Sequence, residues 1–164
     1  MESRAKLLGH PVHPMLIVLP LGLFIGAVVF DALSIWRGNV ILAAVGFWNI
    51  AGGVIGGLLA AVFGLIDWFA IPSGTRAKRI GLLHGASNVV VVAAFAVAWL
   101  MRRNAGDVTV TTGLLLLEVV ALVIGAIAGW LGGELVDRLG VGVDDGANLD
   151  APSSLSGRPA RSRS

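Results

Sequence analysis

The chain alternates four long apolar stretches with short polar segments. The stretches cover about residues 15–36, 44–70, 80–101 and 112–136. Each holds the roughly 20 residues that a helix needs to cross a hydrocarbon core of about 30 Å. The pattern predicts an all-α integral membrane protein, in which residues 1–140 form one domain, a bundle of four transmembrane helices.

The ends of this pattern carry two further expectations. The apolar run around the second span extends from Val40 to Ile71, so this helix must tilt, bend or project into water. From Gly140 onward the chain is rich in Gly, Asp, Ser, Pro and Arg and has no apolar periodicity. This composition predicts a disordered polar tail over residues 141–164.

The composition limits the kinds of chemistry that the chain can carry out, and it says less about the fold. Charged residues make up 13% of the chain, against about 25% in soluble domains. The absence of cysteine excludes disulfides, thiolate metal sites and a cysteine nucleophile. A net charge of +2 gives no reason to expect nucleic acid as a partner. No catalytic Ser/His/Asp order, P-loop or dinucleotide motif is present, so the sequence leaves open whether the chain is an enzyme.

The basic residues predict an orientation. If both termini are cytoplasmic, six basic residues of the membrane domain lie inside and three lie outside. The inner set is Arg4, Lys6, Arg76, Lys78, Arg79 and Arg138, and the outer set is Arg37, Arg102 and Arg103. An excess of Lys and Arg marks the cytoplasmic side, so both termini are expected in the cytoplasm.

The three histidines are the first candidate site. His10 and His13 each precede a proline, which favours an extended segment before the first span. His84 begins the third span and should lie on the same side of the bilayer. Neutral imidazoles ligate haem iron and transition metals, so the set is a candidate for haem b or a metal ion. The alternative is that the two His-Pro pairs only mark the start of a helix.

Three more residues fall on the histidine side and are candidates to orient the ligands from the second shell: Asp67, Asn88 and Glu134. Each also has a purely structural interpretation. His84 and Asn88, four residues apart, share a helix face and can bond across helices. Asp67 can pair with Arg76 or Arg79, and Glu134 can pair with Arg138.

Asp31, Asn49 and Glu118 form a second candidate set in the opposite half of the membrane. Ionisable groups in spans usually face protein or a water-filled cavity. These residues are therefore candidates for a proton or cation path, with Glu118 the strongest because it lies inside its apolar run. Inverted repeats would support a transporter, but the two halves show no convincing similarity.

Glycines spaced four apart predict close helix packing. The set is Gly22 and Gly26, then Gly52, Gly53, Gly56 and Gly57, then Gly125, Gly129 and Gly133. The partner of such a face is another helix of the chain, a second copy in a homo-oligomer, or a subunit of a membrane complex.

The chain resembles a bacterial membrane family known as domain of unknown function 2231. The resemblance covers about residues 7–142 and rests on three segments: GHPVHPMLIVLPLG (9–22), GLIDWFAIPSGTRAKRIGLLHGASN (64–88) and GGELVDRLG (132–140). It implies a location in the bacterial cytoplasmic membrane. Relatives fused to, or beside, cytochrome c or Rieske iron–sulfur domains suggest electron transfer, although the family has no established activity and this chain carries no such domain.

Three hypotheses of function follow. The chain is a haem- or metal-binding protein of an electron-transfer system, with a redox protein as partner. Alternatively, it is a small module for proton, cation or solute transport. In the third hypothesis it is a structural accessory subunit of a membrane complex. In each, the lipid bilayer is the surrounding medium.

Overall fold

The computed structural model describes residues 1–160, and over that range four helices are long and apolar enough to cross a membrane. The first crossing consists of α1 (Val12–Leu16) and α2 (Val18–Arg37). The others are α3 (Val40–Ala70), α4 (Arg76–Asn104) and α5 (Thr112–Gly133), which continues into a π-helical turn, Glu134–Arg138. The predicted fold of four membrane-spanning helices is confirmed.

Side-chain caps fix where three helices begin. Asn39 accepts a hydrogen bond from the Ile41 amide, Thr75 from Lys78 and Thr111 from Leu114. Each cap satisfies one of the amides that the first helical turn leaves unpaired. Helix α4 therefore begins at Arg76, four residues before the apolar run that predicted it.

Segments outside the spans are short and gather at two ends of the bundle. We call the end formed by residues 1–11, 71–75 and 139–160 the terminal face, and the end formed by residues 38–39 and 105–111 the distal face. At the terminal face, β1 (Lys6–Leu7) and β2 (His10–Pro11) pair antiparallel. Leu8 and Gly9 between them both have positive φ, as the tightest hairpin turns require.

The described part of the predicted tail, residues 141–160, adds no long helix. Up to residue 160 it consists of turns and one 3-10 turn, Ser154–Ser156. It contacts the start of the chain: the Gly142 amide donates to the Met1 carbonyl, and the Met1 ammonium donates to the Gly140 carbonyl. Residues 141–160 thus cover the terminal face beside the N-terminal hairpin.

The helices form an antiparallel bundle in which α2 and α4 are diagonal neighbours. Helix α2 packs on α3 and α5, and α4 packs on the same two helices. The core lies on the bundle axis and is made of Phe24, Ala27, Ile50, Val91, Phe95 and Ala121. Most large apolar side chains point outward, as expected where lipid replaces water.

Pairs of equivalent residues from the two halves meet on this axis. His13 faces His84, Phe24 stacks on Phe95, and Asp31 binds Arg102. Asp31 and Arg102 are 71 positions apart, and the other two pairs have the same separation. Helices α1–α3, the first hairpin, therefore present His, Phe and a charge in the same register as helices α4–α5, the second hairpin.

The second helix of each hairpin, α3 in the first and α5 in the second, also carries a shared sequence motif. Residues 57–64 of α3 read GLLAAVFG and residues 125–132 of α5 read GAIAGWLG, both of the form G-x-x-A-x-x-x-G. The two hairpins run in the same direction, so the repeat is parallel and its axis follows the bundle. It is not an inverted repeat, and the expectation that the two halves show no convincing similarity was wrong.

Candidate functional site

His13 is held against α3. Its Nδ1 lies 2.8 Å from the Ala60 carbonyl oxygen, and because a carbonyl only accepts, Nδ1 carries the proton. The ring lies on Gly64, where a Cβ would come within 2.9 Å of it. His13 belongs to the short helix α1, so the prediction of an extended segment there was wrong.

His84 is held against α5 in the same way. Its Nδ1 donates to the Ala128 carbonyl at 2.8 Å, and a Cβ at Gly132 would meet the ring at 3.1 Å. Asn88 follows one turn later, and its amide lies 3.3 Å from His84 Nε2 and 2.9 Å from the His84 carbonyl. The predicted pairing of His84 with Asn88 on one helix face is present in the structure.

The two rings meet on the bundle axis. Their centroids are 6.2 Å apart and their planes are nearly perpendicular, at 86°. In both rings Nδ1 is occupied by a backbone carbonyl, so Nε2 is the nitrogen that keeps a lone pair. Two imidazoles of fixed tautomer therefore share one site between the hairpins.

His10 does not join this pair. It is exposed in strand β2, and its Nε2 lies 3.3 Å from the Ser154 hydroxyl. The structure thus divides the three predicted histidines into two on the axis and one at the surface. Among residues 1–160, no three His, Cys, Asp or Glu side chains come together in a group that would hold a metal ion.

Asp67 serves the N-terminal segment rather than a histidine. Its carboxylate accepts from the Ser3 hydroxyl at 2.8 Å, from the Arg4 amide at 2.8 Å and from the Ala5 amide at 3.3 Å. Neither the predicted role behind a histidine nor a pairing with Arg76 or Arg79 corresponds to these contacts. The end of α3 instead fixes residues 3–5 across the terminal face.

Replacing Asp67 with Asn should release residues 3–5. Hydrogen bonds to charged groups contribute about 1.5–3 kcal/mol, and an amide oxygen replaces the charged acceptor only in part. We expect faster amide hydrogen exchange at residues 4 and 5, measured by mass spectrometry on protein in lipid nanodiscs. Asp137→Asn, at an exposed position of the same face, is the control and should change nothing there. Equal exchange in both variants would contradict the assignment.

Glu134 also has a different partner from the one that its spacing predicts. It accepts from Arg76 Nη2 at 2.6 Å, so the ion pair joins α4 to the turn that follows α5 and not Glu134 to Arg138. Glu134 thus closes the second hairpin at the terminal face. No contact with His84 accompanies this ion pair among the hydrogen bonds of residues 1–160.

Lys6 connects the two ends of the chain. Its ammonium binds the Asp144 carboxylate and, at 2.8 Å, that of Glu2. These hydrogen bonds, chiefly the one to Asp144, raise the pKa of Lys6 above its ordinary 10.5. The bond from Lys6 lowers the pKa of Glu2. The charged form of Lys6 stabilises the contact between the two ends of the chain, and this stabilisation is lost as the pH rises through the pKa of Lys6. The charged form of Glu2 also stabilises the contact, and its contribution is lost as the pH falls through the pKa of Glu2.

A second polar cluster lies on the axis near the distal face, and Arg102 is its centre. Its side chain is 2% exposed and donates to Asp31 through Nη1 at 2.7 Å and Nη2 at 3.2 Å. Nη2 also donates to the Ala43 carbonyl at 2.7 Å, and Nε donates to the Val108 carbonyl at 3.0 Å. This two-pronged pairing is the strongest geometry between a guanidinium and a carboxylate.

Glu118 completes the cluster, but no described donor gives it a hydrogen bond. Its nearest cationic atom is Arg102 Nη1, 3.9 Å from Oε1. The side chain is fully buried, and both carboxylate oxygens lack a partner among the described residues. Of the three residues predicted for a polar path, Asp31 and Glu118 thus come together. Asn49 lies apart, with its amide nitrogen packed on Gly26.

Sequence reasoning missed Arg102, which we had counted as an outer interface residue beside Arg103. The signal lay in its spacing: the buried positions of α4 are 81, 91, 95, 98 and 102, and His84 and Asn88 fill the same helical spacing between 81 and 91. Arg103, one position further, stacks on Trp99 at 5.2 Å. Arg102 thus turns inward, whereas Arg103 stays at the surface.

The two clusters lie at different depths in the bundle. Helix α4 is continuous from His84 to Arg102, a rise of about 27 Å between their Cα atoms at 1.5 Å per residue, and on α5 Glu118 lies about 15 Å from Ala128, the partner of His84. Between them lies the apolar core around the Phe24–Phe95 stack. The bundle therefore carries two separate polar sites, the histidine pair and the Arg102 cluster.

Comparison with known proteins links the chain to a family. Residues 9–145 match the family model described as "Predicted membrane protein (DUF2231)". No curated protein and no solved structure matches the chain.

Proposed function

The chain belongs to the DUF2231 family of predicted membrane proteins, and we propose that it is a haem-binding protein of membrane electron transfer in which His13 and His84 would hold the haem iron. The observation that carries the proposal is the way these two imidazoles are held. Each Nδ1–H donates to a backbone carbonyl at 2.8 Å. Ligand histidines almost always hold their second nitrogen in this manner, since it fixes the tautomer and aims Nε2 at the metal.

The spacing of the rings fits a shared metal atom. A metal–imidazole bond is about 2 Å, and with roughly 1 Å from the nitrogen to the ring centroid, two opposed ligands have centroids about 6 Å apart. The observed distance is 6.2 Å. Asn88 lies 3.3 Å from His84 Nε2 and donates its shorter bond, of 2.9 Å, to the His84 carbonyl, so the position of Asn88 does not depend on the Nε2 contact.

The number of ligands favours haem over a lone metal ion. Structural and catalytic zinc sites take at least three protein ligands, and residues 1–160 bring together no such group. Haem iron needs the protein only at its axial positions. Small residues beside the rings, Ala60, Gly64, Ala128 and Gly132, reduce the side-chain volume around the site. When bound, the haem would supply reversible one-electron chemistry inside the bundle.

The location follows the orientation of the terminal face. Because Arg102 turns inward, only Arg37 and Arg103 of the counted basic residues remain at the distal face, against six at the terminal face. This strengthens the assignment of the terminal face to the cytoplasmic side of a bacterial membrane. The histidine pair then lies near that side, where a redox protein would be the partner for electron transfer.

The test is an absorption spectrum of protein purified from haem-replete cells, oxidised and then reduced with dithionite, with elemental analysis of the same sample. We expect the bands of a b-type haem with two histidine ligands, and their loss in both His13→Ala and His84→Ala. His10→Ala, which alters the surface histidine, is the control and should keep the spectrum. A colourless wild type, or bands that survive both axial variants, would refute the proposal.

A second candidate function is proton or cation transport, and the observation that favours it is the unpartnered carboxylate of Glu118. Glu118→Gln should then abolish ion flux in proteoliposomes. Unchanged flux in that variant would remove this candidate and leave the haem proposal intact, because Glu118 lies about 15 Å along α5 from Ala128, the residue that holds His84.

A further inference from the structure

The Arg102 cluster has a charge that its own residues do not balance. It contains two carboxylates, Asp31 and Glu118, and one guanidinium. The other groups around Arg102 are neutral: the Ala43 and Val108 carbonyls and the Phe47 ring, which lies 5.5 Å from Cζ. The nearest further acid of the loop, Asp107, binds Thr109 outside the spans. With both carboxylates ionised, the buried cluster would carry one net negative charge.

The hydrogen bonds show where that charge would reside. Asp31 accepts hydrogen bonds from Arg102 with both oxygens, whereas neither oxygen of Glu118 accepts one from a donor among the described residues. A buried carboxylate without a hydrogen bond is far more costly than a buried carboxylic acid. We propose that Glu118 is a proton-binding site, a neutral acid within the bundle that exchanges its proton with the distal face.

A cavity at the distal face leads toward this cluster. Its volume is about 350 Å³, and it lies between the α2–α3 turn and the α4–α5 loop. Ala43 lines the cavity and also accepts the hydrogen bond from Arg102 Nη2. On the other side the Phe24–Phe95 stack separates the cluster from the histidine pair. A proton therefore has a short approach from the distal face and an apolar layer behind it.

The decisive measurement is infrared difference spectroscopy of the full-length protein in lipid nanodiscs between neutral and alkaline pH. We expect the carbonyl stretch of a protonated carboxylic acid at neutral pH, and its complete loss in Glu118→Gln. Asp107→Asn, at the exposed loop acid, is the matched control and should keep the band. Absence of the band in the wild type, or its persistence in Glu118→Gln, would overturn the proposal.

A second variant, Asp31→Asn, tests the proposal even if Glu118→Gln does not fold. In Asp31→Asn, Arg102 loses its partner, and Glu118 at 3.9 Å is the one remaining carboxylate of the cluster. We expect Glu118 to ionise and pair with Arg102, so the band should disappear although Glu118 is still present. An unchanged band in Asp31→Asn would contradict the coupling of the proton to this cluster.

Two further experiments test which ion Glu118 binds and from which face of the bundle that ion reaches it. If sodium chloride removes the band and choline chloride at equal concentration does not, the ligand is a sodium ion and the proton assignment fails. Ile35→Trp narrows the cavity that Ile35 lines and should slow the response of the band to a pH jump several-fold. Ile41→Trp, at an exposed position outside the lining, should not. Equal rates in both variants would overturn access through this cavity.

Discussion

The double substitution Asp31→Asn/Glu118→Gln should destabilise the protein by about 3–5 kcal/mol, the cost typical of a buried ion pair that loses one partner. Arg102 is 2% exposed and its guanidinium does not lose its charge in proteins. With both carboxylates replaced by amides, that charge remains in the bundle with no counter-ion among the contacts of the cluster. The single substitution Asp31→Asn should cost less, because Glu118 can take over the pairing from 3.9 Å.

The measurement is unfolding in mixed detergent, followed by the fluorescence of the five tryptophans. Asp107→Asn is the charge-neutralising control and should unfold with the wild type. The triple variant Asp31→Leu/Arg102→Leu/Glu118→Leu separates charge from packing: replacing all members of a buried ionic cluster by apolar residues is often neutral or stabilising. If the double variant unfolds at the same detergent fraction as the control, Arg102 does not depend on these carboxylates.

The spans were predictable because a bilayer requires long apolar runs, and these runs are unambiguous in the sequence. The residues at which the helices begin were harder to predict. Thr75 lets α4 begin at Arg76, ahead of the predicted Ile80, since helix formation depends on backbone amides and caps as well as on hydropathy, whereas α5 begins at Thr112 as predicted. His13 showed the same effect, because Pro14 is compatible with a first helical turn and the helix begins earlier, at Val12.

The partners of polar residues were the part that sequence could not supply. Asp67 and Glu134 were given neighbours close in sequence, but their partners, Ser3 and Arg76, are 64 and 58 residues away. Spacing along one helix shows which residues share a face and does not show which other element lies on it. His84 and Asn88 were predicted together because both lie on one helix.

The parallel repeat shows a signal that was present and missed. His13, Phe24, Ala27 and Asp31 have the same spacing as His84, Phe95, Ala98 and Arg102. Only the last pair of equivalent residues differs in chemistry, because the acid Asp31 corresponds to the base Arg102. This difference allows the two residues to form an ion pair on the axis. A comparison of the two halves for an inverted repeat does not reveal a parallel repeat in which one pair of equivalent positions carries opposite charges.

The stack of Phe24 and Phe95 lies at the centre of the bundle axis. Phe95→Ala should destabilise the bundle by about 3–5 kcal/mol, the range for a buried phenylalanine that leaves a cavity. Phe95 is completely buried, and its ring lies 4.1 Å from that of Phe24 at an angle of 7°. Gly53 supports the other ring closely, since a Cβ there would come within 2.5–2.6 Å of Phe24. Neighbouring side chains thus have little freedom to collapse into the space.

A double-mutant cycle shows whether the two hairpins use this contact. Stacked aromatic pairs add about 0.5–1.5 kcal/mol beyond burial, so Phe24→Ala/Phe95→Ala should cost less than the sum of the single variants by that amount. Phe69→Ala, at a side chain that is 68% exposed, is the control and should have little effect in the same detergent titration. Additive losses would mean that the rings stabilise their own hairpins separately. A coupling of the expected size would mean that the layer between the histidine pair and the Arg102 cluster joins the hairpins, and that a change at one polar site reaches the other through it.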